Sequence, residues 1–221
     1  MAPADPNSFV QTELRAAAMA LHTRSQAPRE GKAPEPRPSP VGSWAPGREE
    51  YLRFLADSRA VYAALDRVVA EEPALARFRG TGLERVDALD RDIEWFASEY
   101  GLACPAVGDA GAAYVAFLEG LQREGNLPAF LCHYYNQYFA HTAGGRMIGA
   151  KMSADLLGGA ELAFYQWPAG DVKDLLDAVR RSLDDVATEW DRAQKDACVA
   201  ETPRSFQYSG SLLVYLRGPL A

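Results

Sequence analysis

The segment FLCHYYNQYFAHTAGGRMIG, residues 130–149, decides the fold class. Its residues follow the three- and four-residue steps of one helix face, continued just beyond it: Tyr134, Tyr138, His141, Gly145, Ile148 and Met152. Two adjacent glycines, Gly144 and Gly145, stand inside this pattern, and each costs about 1 kcal/mol relative to alanine in a helix interior. The pair therefore indicates either close packing against another helix or a kink where backbone approaches a flat ligand.

The rest of the chain repeats this helical spacing and predicts an all-α, single-domain, multi-helix protein over residues 1–221. Helices are expected at about 7–24, 51–69, 86–96, 114–121, 128–157 and 172–190, and from Thr202 onward, where Pro203 suits a first turn. Residues 1–8 are expected to be a flexible N-terminus. Residues 27–48 contain six prolines and predict a loop. No segment shows a convincing strand pattern.

The composition is that of a soluble globular chain, with 48% apolar and 24% charged residues. A net charge of -7 argues against nucleic-acid binding through bulk attraction. No run approaches the roughly 18 apolar residues of a membrane span, and residues 1–8 lack the features of a signal peptide. We therefore expect no transmembrane anchor. Three cysteines, Cys104, Cys132 and Cys198, are too few for a disulfide-stapled secreted fold.

His22 is the most suggestive of the three histidines, the others being His133 and His141. It follows Ala18 by four residues and Leu14 by eight, which keeps it on or beside the apolar face of the first helix. A histidine there is usually a core residue, but neutral imidazole is also the common proximal ligand of heme iron. The chain has no HExxH, CxxC or Glu-x-x-His motif, so zinc and di-iron sites are unsupported.

Two segments of the chain resemble the heme oxygenase family. AMALHT, residues 18–23, resembles the proximal helix of that family, and YFAHTAGGRMIG, residues 138–149, looks like the distal helix of its plant and green-algal chloroplast form. The resemblance extends through YLRFLADSRAVY (51–62), TGLERVDALDRDIEWF (81–96) and SFQYSGSL (205–212). It covers about residues 9–217 and is weaker in the proline-rich loop.

The resemblance implies a fold in which heme lies between a proximal and a distal helix. Heme would be both substrate and prosthetic group, and His22 would be the ligand of its iron. The implied reaction opens heme at the α-meso carbon with O2 and yields biliverdin IXα, carbon monoxide and ferrous iron. On the distal side, Gly144 and Gly145 would bring backbone near bound dioxygen and leave space for ordered water.

His141 marks a departure from part of the family. It stands where the animal and cyanobacterial forms carry an aspartate that organises distal water, and it follows the plant-type pattern. Because histidine can both donate and accept hydrogen bonds, it could support the same network. Gln137 also replaces an arginine that is common in those relatives.

The resemblance further implies a set of residues around the heme edge. Arg15, Tyr135 and Lys173 match positions near the propionates, Arg180 is a third candidate cation, and Phe206 would pack beside the ring. The implied electron donor is reduced ferredoxin, as in plastid members, which indicates the chloroplast stroma and a mature form without its transit peptide. Because ferredoxin is acidic, docking would need a basic patch, and the candidates are Arg15, Arg24, Lys173, Arg180 and Arg181.

Other functions remain open from the residues alone. A heme carrier or sensor would keep His22 on the same fold but lose distal-helix features, whereas His141, Gly144 and Gly145 are all present here. A helical scaffold without a cofactor would use His22 only for packing. A thiamin-degrading enzyme of similar helical shape has no supporting cysteine pattern. A monomer is the default expectation.

Overall fold

The computed structural model describes residues 8–21 and 42–217, and every regular element in that part of the chain is helical. This confirms the all-α prediction. The α-helices are α1 Arg15–Ala20, α2 Arg48–Glu71, α3 Val86–Tyr100, α4 Asp109–Arg123, α5 Leu127–Ala140, α6 Arg146–Leu156, α7 Val172–Thr188, α8 Arg192–Ala200 and α9 Thr202–Leu212. Two π-helical segments, Val10–Leu14 and His141–Gly145, precede α1 and α6. Short 3-10 helices occupy Pro73–Phe78, Ala163–Tyr165 and Leu213–Arg217.

Helix α2 is the centre of the fold and packs most extensively against α4 and α3. Its residues Leu55, Val61, Leu65 and Val68 are completely buried at helical spacing. Burial of each such side chain contributes about 1.5–3 kcal/mol, so one face of α2 provides much of the apolar driving force for folding. Among the described residues, no helix combines the length and the apolar character that a bilayer crossing requires.

A buried carboxylate of α2 fixes the first turn of α4. Asp57 accepts hydrogen bonds from the backbone N–H groups of Gly108 at 2.7 Å and Gly111 at 2.9 Å. These are free donors at a helix N-terminus, where a negative charge is also favoured by the helix dipole. A Cβ atom at Gly111 would lie 2.6 Å from Cγ of Asp57, which explains the glycine at this position.

Helix α5 is buried along almost its whole length and contacts α4, α8 and α9. His133 is one of its buried residues. Its Nε2 donates to the Glu201 carboxylate at 3.1 Å, and its Nδ1 accepts from the Tyr114 hydroxyl at 2.9 Å. Burial lowers the pKa of His133, which favours the neutral ring. His133 therefore connects three parts of the bundle and has a structural role.

The N-terminal helical segment is attached to α7 through polar contacts. The Ser8 hydroxyl donates to Asp184 at 2.7 Å, and the backbone N–H of Val10 donates to the same carboxylate at 2.9 Å. Ser8 is buried, so the folded part of the chain already includes this residue of the N-terminus that was expected to be flexible. Residues 1–7, and residues 27–41 of the proline-rich loop, lie outside the described residues.

Candidate active site

The glycine-rich segment continues α5 into α6 through a widened turn. Ala140, Gly145 and Arg146 all keep right-handed helical backbone, and residues His141–Gly145 form a single π-helical turn between the two α-helices. Such turns hold an extra residue and are frequent at functional sites. The irregularity that the adjacent glycines predict is therefore present, and it is a local widening of the helix.

His141 lies on the inner side of this turn and is only 8% exposed. Its Nε2 is 2.8 Å from the backbone carbonyl oxygen of Phe164, and its ring stacks on the Phe164 ring with centroids 4.0 Å apart. Burial lowers the pKa of His141 to about 3, and the nearby positive charge of Arg85 acts in the same direction. The imidazole is therefore neutral near pH 7.

The two glycines serve different purposes. A Cβ atom at Gly145 would lie 2.7 Å from Nδ1 of His141, so the imidazole occupies the space that a side chain would need. A Cβ atom at Gly144 would meet nothing within 4 Å, and Gly144 is exposed. Gly145 thus permits close packing within its own helix, whereas Gly144 presents bare backbone to open space.

A groove of about 530 Å³ lies beside this turn, between α6 and the start of α7. It is lined by Arg146, Gly170, Asp171, Val172, Lys173, Leu176 and Arg180. Three of these residues are cations. Arg146 is the first residue of α6 and directly follows the π-helical turn, so the groove borders the end of that turn. An anionic ligand in the groove would meet positive charge on both helices.

Asp177 joins two of the groove cations to each other. Its carboxylate accepts from Nζ of Lys173 at 2.9 Å and from the Arg180 guanidinium at 2.5 Å. The Lys173 side chain is 70% exposed, whereas that of Arg180 is 25% exposed. Arg180 is therefore the more buried of the two, and Lys173 lies at the open edge.

The structure brings three of the predicted binding residues together: Arg15, Tyr135 and Arg180. Burial raises the pKa of the Tyr135 hydroxyl, while the nearby guanidinium groups of Arg180 and Arg15 act in the opposite direction. Phe139 stacks on Tyr135 with centroids 4.1 Å apart and lies 4.8 Å below the Arg180 guanidinium carbon. Arg15, Tyr135 and Arg180 thus form one cluster, which Asp177 connects to Lys173.

The other predicted binding residues are His22 and Phe206. His22 lies outside the described residues, which end on that side at Leu21. Helix α1 ends at Ala20 and contacts α9, the helix that carries the half-buried Phe206. Within residues 8–21 and 42–217, no group of three or more histidine, cysteine or acidic side chains could hold a metal ion.

Sequence reasoning missed the residues that support His141. His141 donates to the backbone carbonyl oxygen of Phe164, and a backbone group leaves no signal in the sequence. Asp92 accepts from the backbone N–H groups of Ala163 and Phe164, both at 2.8 Å. The sequence did carry a signal for Asp92. Its carboxylate lies on the apolar helix face formed by Leu89 and Phe96, where a buried carboxylate needs hydrogen-bond donors.

Comparison with known proteins gives a family match over most of the chain. The family model described as heme oxygenase matches residues 41–214. The rice protein named heme oxygenase 1, chloroplastic (Oryza sativa subsp. japonica) is 48% identical over 222 residues, which cover 98% of this chain and 75% of that protein. A second rice protein, named probable inactive heme oxygenase 2, chloroplastic, is 41% identical over 78% of this chain and 52% of its own length.

Solved structures agree on the fold. The crystal structure of heme oxygenase-1 from the cyanobacterium Synechocystis in complex with heme superposes with a TM-score of 0.71 at 18% identity, covering 95% of this chain and 90% of the other. At that identity the likeness concerns the fold. Together, the helical architecture, the family match over residues 41–214 and the identity to the rice protein establish that the chain belongs to the heme oxygenase family.

Proposed function

We propose that the protein opens heme at the α-meso carbon and produces biliverdin IXα, carbon monoxide and ferrous iron from O2 and electrons of reduced ferredoxin. The observation that carries this proposal is the pairing of a neutral, buried His141 with the bare backbone of Gly144, beside a groove lined by cations. That arrangement offers a polar group and free space on the distal side, which oxidation of the ring requires.

The residues present fit a flat, mostly apolar ligand with carboxylates at one edge. Arg146, Lys173 and Arg180 line the groove, and Arg15 and Tyr135 adjoin it through Arg180. Two of the large apolar side chains that are exposed in the described part of the chain lie in the two expected heme-facing segments: Leu21, just after α1, at 43%, and Met147, in α6, at 54%. Apolar contact there would suit the ring, while the cations would suit the propionates.

Each chain residue then has a defined task. His22, four residues after Ala18 in the sequence, would supply a neutral imidazole to the iron from the proximal side. Arg15, Tyr135, Lys173 and Arg180 would orient the ring through its propionates, and Phe206 would pack beside it. Gly144 would leave room next to the reacting carbon, and His141 would exchange hydrogen bonds with water on the distal side. Heme itself supplies the iron at which O2 is activated.

The cellular setting is part of the same proposal. The rice relative is named chloroplastic, and we infer a mature stromal form without its transit peptide, acting as a monomer. Ferredoxin would approach the basic edge formed by Arg15, Lys173, Arg180 and Arg181, together with Arg24, which lies outside the described residues. A protein of net charge -7 can attract an acidic donor only through such a local patch.

The deciding experiment is an optical titration of the protein with hemin, followed by addition of reduced ferredoxin in air. We expect a stoichiometric Soret band that gives way to a biliverdin spectrum. His22→Ala should shift and weaken the band, and added imidazole should restore it because the free ligand occupies the vacated position.

Arg180→Gln should lower the affinity for hemin about tenfold, because one charged hydrogen bond is lost. The control is Arg181→Gln, a change at the exposed neighbouring residue.

A non-catalytic heme-binding protein is the second candidate, because a relative named probable inactive is 41% identical. In that case hemin would bind through His22, but reduced ferredoxin would leave the Soret band in place. Absence of specific hemin binding would contradict both candidates.

A further inference from the structure

The supporting residues behind His141 determine which of its two ring nitrogens carries the proton. A backbone carbonyl can only accept a hydrogen bond, so the 2.8 Å contact with the Phe164 oxygen requires the proton on Nε2. A neutral imidazole has one such proton. Nδ1 of His141 is therefore a hydrogen-bond acceptor.

The free acceptor faces the backbone of the π-helical turn. Nδ1 would be the atom nearest to a Cβ built at Gly145, at 2.7 Å. Among the described residues, no group donates a hydrogen bond to it. The lone pair is thus available on the side of the imidazole that borders the glycine pair, and it suits an O–H or N–H donor such as water.

The position of the Phe164 carbonyl is itself fixed by Asp92. The Asp92 carboxylate accepts from the backbone N–H groups of Ala163 and Phe164, both at 2.8 Å, and it is 4% exposed. Two hydrogen bonds to consecutive amides fix the orientation of this short 3-10 helix. Arg85 holds the following residues, because its guanidinium donates to the Gln166 carbonyl at 2.5 Å.

We infer that Asp92 is a positioning residue that acts through the Phe164 backbone to hold His141 in the Nε2-protonated tautomer, with Nδ1 as an acceptor toward the distal side. The opposite tautomer would set the Nε2 lone pair against the Phe164 carbonyl oxygen, which is unfavourable in a buried site. The inference adds to the proposed function, and the catalytic role that it gives to His141 rests on that function. It gives His141 an accepting role toward distal water.

The test uses protein labelled with ¹⁵N histidine and free of heme. Long-range ¹H–¹⁵N NMR distinguishes a protonated from an unprotonated ring nitrogen, and the chain has only three histidines to assign. Disappearance of one set of signals in His141→Gln identifies the residue. We expect a single tautomer with Nε2 protonated. A protonated Nδ1 in the unmodified protein would overturn the inference.

The role of Asp92 is tested by Asp92→Asn, whose amide can no longer accept two hydrogen bonds at the same geometry. We expect the single set of His141 signals to be lost or replaced by a mixture of tautomers. Asp90→Asn, on the same helix, is the control, because Asp90 pairs with Arg59 at the surface. Unchanged His141 signals in folded Asp92→Asn would refute the role of Asp92.

If Asp92→Asn does not fold, Asp92→Glu is measured instead, because it keeps the charge and displaces the carboxylate by one methylene. A pure Nε2 tautomer in that variant would likewise count against the inference. The hemin titration is separate from these spectra. The expected tautomer in a protein that binds no hemin would contradict only the proposed function, whereas hemin turnover with the other tautomer would contradict only the inference.

Discussion

The two helical segments that would face heme from opposite sides are held in different ways. The proximal segment, Val10–Ala20, buries Val10, Leu14 and Ala18 and is tied to the bundle by the Asp184 contacts and by the exposed pair of Glu13 and Arg192. The distal segment rests on a buried aromatic layer. There Phe164 stacks on His141, and the ring of Tyr165 lies against Gly149.

The difference indicates that the distal side is preorganised and the proximal side is adjustable. Buried, mutually packed rings have few alternative arrangements, so a polar group among them keeps its direction. The proximal segment is anchored by the buried side chains of Val10 and Leu14, but its helix is short and ends at Ala20, so its last turn can open locally at lower cost. Under the proposed function, the distal segment would be the side that needs precise placement of a polar group, and the proximal segment the side that opens.

The largest effect should follow from removing the buried cation behind the distal segment. In Arg85→Met, the carbonyls of Leu83 and Gln166 lose a charged donor, and the guanidinium stacked over Trp167 is lost. We expect the free energy of unfolding to fall by about 3 kcal/mol in urea titrations. The control is Arg91→Met, an exposed position on α3. Equal losses in both variants would contradict a preorganised distal support.

A smaller and local effect is expected on the proximal side. Asp184→Ala removes the acceptor for Ser8 and Val10, which should cost about 2 kcal/mol. Native-state hydrogen exchange should show lost protection in residues 10–20 and unchanged protection in α5. Asp185→Ala is the matched control, since Asp185 is exposed and pairs loosely with Arg77 at 3.4 Å. Loss of protection throughout the bundle would show that the proximal segment is not an independent unit.

The smallest effect concerns the dependence of stability on pH. An unfolded histidine titrates near pH 6.5, whereas burial lowers the pKa of His141 to about 3. Between these values the unfolded chain binds a proton that the folded protein does not, so His141 makes stability fall as pH falls. The contribution is about 1.4 kcal/mol per pH unit.

His141→Gln isolates that contribution, because His133 and Asp66 titrate in both proteins. From about pH 6 to about pH 4, the unfolding free energy should decline more steeply in the unmodified protein than in the variant, by about 1.4 kcal/mol per unit. Parallel pH profiles would mean that His141 titrates alike in the folded and unfolded protein, which would contradict a lowered pKa of the buried ring.

The helices were largely predictable because they follow apolar spacing. The last helix begins at Thr202 as predicted, with Pro203 in its first turn. Helix α8 was not predicted from the sequence, because Cys198 is its only buried residue and an apolar repeat is therefore lacking. Its first turn is instead stabilised by the capping box of Asp191 and Gln194. Helix α3 begins at Val86 as predicted, just after a turn in which the Glu84 carboxylate accepts from the Thr81 amide at 2.7 Å.

The site was predictable only where side chains carry it. Tyr135, Arg180 and His141 are recognisable as residue types in a pattern, and their binding and catalytic roles stay predictions. The Phe164 carbonyl is backbone and has no residue signature. The π-helical turn was also not predictable from the spacing of apolar residues, because its backbone stays in the right-handed helical region and the turn differs from an α-helix by a single residue.

That turn has an evolutionary consequence. It contains one residue more than an α-helical turn, so deletion of a single residue within 141–145 would restore regular helix. The extra residue is taken up within the turn itself, so Ile148 and Met152, which follow it, would keep their places in the core. One inserted residue is therefore enough to widen the backbone of this turn while the helix faces before and after it keep their packing, and no point substitution can add or remove that residue.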